Sequence, residues 1–100
     1  MKFHLSSAVH DDLRAAVEYY RDSAGADVAA AFYEEFLRSA ASAAASPRAY
    51  AIYMEDPDET RRVNLRRFPY HFLFRIIGND TIRIFVVCHD HRHPSYGLDR

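Results

Sequence analysis

The stretch from Tyr70 to Cys88 leaves this chain few folds to choose from. Two runs, YHFLFRII and TIRIFVVC, are apolar or aromatic at most positions and are separated by Gly78-Asn79-Asp80. Such runs around a short glycine-containing turn read as a β-hairpin. A three-residue turn pairs Ile77 with Thr81, which sets Tyr70, Phe72, Phe74 and Ile76 against Cys88, Val86, Ile84 and Ile82. A slip of one residue would put Arg83 on that face against Ile76, so the register is strongly specified. Ahead of the hairpin, residues 61–66 read as another strand, joined through Arg67-Phe68-Pro69, with Leu65 against Tyr70 and Val63 against Phe72. One side of this meander is a continuous apolar surface that other elements must cover.

The N-terminal half supplies the cover. Residues 2–6 alternate polar and apolar and read as a first strand. Ser6 or Ser7 can then cap a helix that holds Asp11 and Asp12 near its positive end. Val9, Leu13, Ala16, Val17 and Tyr20 follow a helical stripe, and Arg14, Glu18 and Arg21 fall on the other side. Gly25 breaks this helix. A second over residues 27–46 turns Val28, Phe32, Phe36, Leu37, Ala40 and Ala44 inward, and Pro47 ends it. Its alanines allow close packing as an antiparallel hairpin. Tyr50 to Met54 is a short apolar piece of open type, and Glu55-Asp56-Pro57-Asp58-Glu59 is an acidic loop. The expected architecture is α+β, one domain over residues 1–100: an N-terminal strand, an antiparallel two-helix hairpin, then a three-stranded antiparallel meander.

Composition excludes some functions. No apolar run approaches the roughly 20 residues of a membrane helix, and no charged start leads into a signal core, so no membrane role is expected. Cys88 is the sole cysteine; it cannot form an internal disulfide and fits a reducing cytoplasm. Within IFVVC it reads as a buried thiol. Residues 61–100 carry eight arginines and three acidic residues, whereas residues 1–60 carry five basic and eleven acidic ones. Such asymmetry suggests an acidic partner for the C-terminal half. The far face of the meander would carry Arg62, Asn64, Arg66, His71, Leu73, Arg75, Arg83, Phe85 and Val87. Its apolar centre of Leu73, Phe85 and Val87 within an arginine rim has two readings. It is a binding surface, or the C-terminal tail folds over it.

That tail, VVCHDHRHPSYGLDR, presents His89, His91 and His93 on alternate positions. In an extended strand they would suit a zinc or nickel ion. Pro94 ends the strand, however, and neither Cys88 nor a carboxylate is placed as a fourth ligand, so no metal and no cofactor are expected. Exposed histidines beside Arg92 are the simpler reading. Tyr96 either packs the tail onto the sheet or contacts a target.

In order along the chain, Asp12-Leu13 with Ala16 and Tyr19-Tyr20, Ala31-Phe32 with Glu35, Pro47, Arg61-Arg62 with Leu65, Arg67-Phe68-Pro69-Tyr70, and His89-x-x-Arg92-x-Pro94-x-Tyr96 with Arg100 form one set. With this set the chain resembles the RelE/ParE superfamily of type II toxin–antitoxin toxins over nearly its whole length. ParE-like members often carry Trp after the tyrosine; Gly97 stands there.

The resemblance implies a toxin of a plasmid-stabilisation module, neutralised by a cognate antitoxin, with DNA approached only through that antitoxin. RelE-like members cut messenger RNA on the ribosome; ParE-like members are gyrase inhibitors. Aligned on Leu65, Tyr70 and Tyr96, positions typically basic in the nuclease branch hold Asn64, His71 and Asp90, while Arg62, Arg92 and Tyr96 remain. RNA cleavage needs a base, an acid and positive charge on phosphate, and Asp90 has the wrong sign. The ParE-like reading is therefore preferred: gyrase inhibition by protein contact, with His89, Arg92 and Tyr96 on the target. For a nuclease the candidates are His71, His89, Arg92 and Tyr96, since some branches use a histidine–tyrosine pair. A member that only binds antitoxin is the third reading. The resemblance places the antitoxin on the helix hairpin and sheet edge, so Tyr19, Tyr20 and Tyr33 join Arg62, Leu73, Arg75, Arg83 and Phe85 as expected contacts.

Overall fold

The computed structural model describes all 100 residues, Met1–Arg100. β1 (Lys2–Leu5) leads into α1 (Ser7–Ala24) and α2 (Ala26–Ala45), then a short 3-10 turn (Pro47–Ala49). Four strands follow: β2 (Ile52–Met54), β3 (Thr60–Asn64), β4 (Tyr70–Ile77) and β5 (Thr81–His89). They form one mixed sheet in the order β1-β5-β4-β3-β2, with β1 parallel to β5. The expected meander is present, and two strands are added to it. The open piece before the acidic loop is the edge strand β2, and the N-terminal strand joins the opposite side of the sheet. A parallel pairing needs a long crossover, and the helix hairpin lies between β1 and the strands it returns to.

The helices form where the stripe places them. Val9, Leu13 and Ala16 are buried on α1, and Ala29, Phe32, Phe36, Ala40, Ala43 and Ala44 on α2. Gly25 joins the helices at φ 99°, a conformation in which a side chain is strained. The Ser6 hydroxyl makes no capping bond, and the first turn of α1 holds no acidic residue. Asp12 lies beyond that turn and has a different use, described below.

Beneath the hairpin lies a cluster of 15 buried residues, with Phe32, Phe36, Phe72, Phe74, Ile82 and Ile84 at its centre. Tyr20 belongs to it, with its ring 5.4 Å from Phe32 and 5.1 Å from Phe68. Burying side chains of this size contributes about 1.5–3 kcal/mol each. Glu35 fastens the β3–β4 turn to α2. Its buried carboxylate accepts the backbone N–H groups of Arg66 at 2.7 Å and Arg67 at 3.2 Å, and the Arg67 Nε–H at 3.0 Å. Burial alone would raise its pKa, but those bonds outweigh it and hold the carboxyl below its ordinary value.

The hairpin register holds only for its outer half. Ile77 pairs with Thr81, Ile76 with Ile82, Arg75 with Arg83 and Phe74 with Ile84; a bulge then sets Leu73 against Val86 and Phe72 against Val87. Phe85 is the extra residue. A bulge shifts the alternation by one, so the expected partners of Phe72 and Tyr70 are corrected: they are Val87 and His89. Val87 therefore enters the main core. Val86 and Cys88 move to the far face and join Leu73 and Phe85 in a second buried cluster.

Candidate functional site

That second cluster is closed by the tail. Tyr96 and Leu98 pack against it from the C-terminus, with Tyr53 of β2 beside them. Gly97 comes so near that a Cβ there would lie 2.7 Å from a Val86 methyl. Of the two readings of the far face, the structure selects the folded tail. Leu73 is 1% exposed and Phe85 3%, so neither lies open to an antitoxin, and the expected apolar centre is corrected to Leu73, Phe85, Val86 and Cys88.

One carboxylate holds the tail in place. Asp12 reaches from α1 to β5 beyond the end of β1, where the outer edge of β5 has lost its neighbour. It accepts the Val87 N–H at 3.0 Å, the Tyr96 hydroxyl at 2.7 Å, and both Arg100 Nη groups, at 2.6 and 3.1 Å. Arg100 also donates to the Phe85 carbonyl at 3.1 Å and to the Tyr96 oxygen at 3.0 Å. Acid and base thus satisfy backbone groups that an edge strand would leave unpaired. Burial, with the bond to Asp12, raises the Tyr96 hydroxyl above its ordinary pKa. Tyr96 is fixed structurally, and its hydroxyl is not free for chemistry.

His71 also lies in the wall. It is buried, with Nδ1 2.9 Å from Asp90 and Nε2 3.2 Å from the Cys88 sulfur. Arg62 closes the row at 3.6 Å from Asp90. The set has the order of a nucleophile, base and orienting acid, but its chemistry is off. Burial pushes the Cys88 thiol up to about 11, which keeps it protonated and inert. Burial also lowers His71 below its ordinary pKa, only partly offset by Asp90. A neutral imidazole that donates its Nδ1–H to Asp90 and accepts a hydrogen bond from the Cys88 S–H at Nε2 satisfies all three groups.

The arginines are mostly spent inside the fold. Arg61, Arg62, Arg67, Arg75 and Arg100 each have a carboxylate within 4.0 Å, and for all but Arg62 it comes from residues 1–60. Arg75 meets Asp56 at 3.4 Å and lies 4.1 Å over the Phe85 ring, which relieves the like charge of Arg83 across the strand pair. The acidic half is thus a partner for much of the basic half. Arg66, Arg83 and Arg92 remain exposed and without a carboxylate.

The histidines do not converge. His89 Nδ1 accepts the His91 N–H at 3.0 Å, and His93 Nδ1 accepts the Ser95 N–H at 3.1 Å. Arg92 is exposed, with its guanidinium carbon 4.4 Å from the centre of the Tyr96 ring. Tyr19 and Tyr33 are 59% and 42% exposed. Tyr33 stands with Leu13, Val17 and Arg21 along a groove of about 520 Å³ between the helices. Asp12, central to the tail, was named from sequence only as a motif residue and a helix-end charge. Its partners lie 75 and more residues away, and no local pattern carries them.

Residues 3–94 match the family described as the ParE toxin of type II toxin-antitoxin system, parDE. No curated protein matches by sequence. One chain of the solved chromosomal ParDE TA system from P. aeruginosa is 20% identical with a TM-score of 0.77, over 89% of this chain and 95% of that one. That likeness shows a shared fold over most of the chain. No helix is long and apolar enough to cross a membrane. On the family match over nearly its full length, the chain belongs to the ParE toxins of type II toxin–antitoxin systems.

Proposed function

We infer that this toxin arrests growth in the cytoplasm by binding DNA gyrase, without catalysis, and that a cognate antitoxin of the ParD kind silences it. The observation that carries the reading is the state of the nuclease candidates. His71 is enclosed between Asp90 and Cys88, and Tyr96 is bound to Asp12 and Arg100. Neither has a free proton-transfer position beside an exposed cation. The exposed groups are His91, Arg92 and His93, on a turn stiffened by Pro94 with half-buried His89 beside them, which suits contact with a protein surface.

For the antitoxin, Tyr19, the groove at Tyr33 and the exposed Arg83 are the open parts of the expected interface. An amphipathic helix lays its apolar face in such a groove, while Arg83, on the back of the sheet beside Arg75 and Phe85, offers a separate point for an acidic residue. Leu73 and Phe85 drop out because they are buried, Tyr20 because its half-buried ring packs against the core, and Arg62 and Arg75 because their charges are matched internally.

Purified toxin should inhibit gyrase supercoiling in vitro, and its induction should raise the DNA-damage response before translation falls. Arg92→Ala should weaken inhibition with the fold and antitoxin binding intact. Message cleavage on ribosomes, lost in Tyr96→Phe, would establish the nuclease reading instead. Growth without arrest at full expression would leave antitoxin binding as the sole function.

A further inference from the structure

We propose that the cleft between α1 and the end of β5 is a binding site for a nucleoside monophosphate, with Arg92 and His89 on the phosphate and Tyr19 and Tyr70 against the base. The cleft holds about 360 Å³ and is lined by Asp12, Tyr19, Tyr70, His89, Arg92 and Tyr96 among others. It opens where β1 ends and α1 leaves the sheet, and the anchored tail closes its far side.

Its free polar groups are almost all donors. Arg92 has no carboxylate partner, and its guanidinium is pre-oriented by the Tyr96 ring at 4.4 Å. Because His89 Nδ1 accepts the His91 N–H at 3.0 Å, the ring proton of the neutral imidazole sits on Nε2. The backbone adds one more donor. The Asp90 N–H bonds to the Pro69 carbonyl at 2.8 Å, so the flanking His89 N–H points to the open edge of β5, away from β4. The two acids at the cleft are already matched: Asp12 by Arg100 at 2.6 Å and Asp11 by Arg14 at 3.1 Å. Several unopposed donors fit the oxygens of a phosphate better than the two of a carboxylate.

The rings decide what the phosphate is attached to. Tyr19 is 59% exposed, and Tyr70 is half-buried beside it, with its ring 5.2 Å from that of His89. Exposed aromatic faces next to a cation are what stacked bases use. The volume lies at the small end for ligand pockets, enough for one nucleotide and too little for a run of peptide.

The test is direct titration of the full-length protein with AMP, adenosine and inorganic phosphate, followed by chemical-shift changes. AMP is expected to bind about tenfold more tightly than either fragment, with shifts at His89, Arg92 and Tyr19. Arg92→Ala should lose about tenfold for AMP and nothing for adenosine; Tyr19→Ala should weaken AMP and adenosine but leave phosphate unchanged. Both side chains are exposed, so both variants should keep the parent's melting temperature, and Arg92→Lys should restore part of the AMP affinity. Equal affinity for phosphate and AMP, no shifts with AMP at millimolar concentration, or binding of an acidic peptide in its place would overturn the proposal. None of these readings depends on gyrase.

Discussion

The two faces of this sheet are buried by different means. The front is covered by a hairpin of two helices that share with the sheet one cluster of 15 buried residues. The back has four buried residues, Leu73, Phe85, Val86 and Cys88, closed by a tail without regular structure. The front is held by many dispersed contacts, none of them decisive. The back depends on Asp12, which belongs to the front-side helix and joins the tail to the sheet edge by four hydrogen bonds. Burial spread over many residues tolerates local change, whereas closure through one ionic centre does not.

The largest effect should come from the front. Phe72→Ala removes a ring that is fully buried and packs against Phe36 at 5.5 Å, and the expected cost is about 3–5 kcal/mol. Unfolding should stay a single transition with a lower midpoint, because both faces share β4. A variant that lost the front packing yet kept a separate back-face transition would show that the two clusters are independent.

Asp12→Ala should come next, at about 3 kcal/mol, the lower end for breaking a buried ion pair, since the Arg100 side chain keeps 23% exposure. The damage should be local. Amide exchange at Val87 should speed up and a hydrophobic dye should bind, while the helix amides stay protected. A loss under about 1 kcal/mol, as for an ordinary surface site, would show that the tail is held by packing and not by this carboxylate.

The contrast also explains what was legible in the sequence. The front follows from periodicity: Phe32, Phe36, Phe72 and Phe74 each fall on a repeating stripe, and repeats are visible along a chain. The back does not. IFVVC is apolar at every position, so nothing in it marks where alternation slips, and the bulge at Phe85 that sends Val86 and Cys88 backward and Val87 forward has no local signal. The arginine rim was visible, but its partners Asp56 and Asp12 were not. Much of that rim is matched by ion pairs that the fold itself completes, which leaves Arg66, Arg83 and Arg92 for an external acid. Tyr96 and Arg92 lie together, guanidinium over ring at 4.4 Å, but differ in what they leave free: the tyrosine hydroxyl anchors the tail and the arginine stays open.

Gly97 sharpens the same comparison at smaller scale. It adopts φ 74° and lies against a Val86 methyl. Gly97→Ala should therefore lose about 1–2 kcal/mol from the left-handed backbone, and more if the tail cannot shift away from the 2.7 Å contact. The expected signature resembles Asp12→Ala, with faster exchange at Val87 and intact helices. A neutral substitution would mean that the tail ends without real packing at residue 97.

The smallest expected effect separates the faces by pH. On the front, Glu35 is held below its ordinary pKa. Its contribution is fully present above the unfolded value of about 4.3 and is lost as pH falls through the folded one. Asp56, at the rim of the back face, is also held low and acts in the same acid range. His71 acts at higher pH. Burial lowers its pKa below the ordinary value, although Asp90 at 2.9 Å pulls the other way and Arg62 adds to the lowering. Between the folded pKa and about 6.5 the unfolded chain binds a proton that the folded chain does not, so stability declines as pH falls. For one group the slope cannot exceed about 1.4 kcal/mol per pH unit. Denaturation midpoints measured from pH 7.5 downward should begin to fall near pH 6.5, and the fall should follow exchange at Val86 and Cys88 before it reaches α2. His71→Gln should flatten that limb while keeping the acid limb of Glu35. If the slope near pH 6 survives in His71→Gln, the back face is not where the protein senses mild acid.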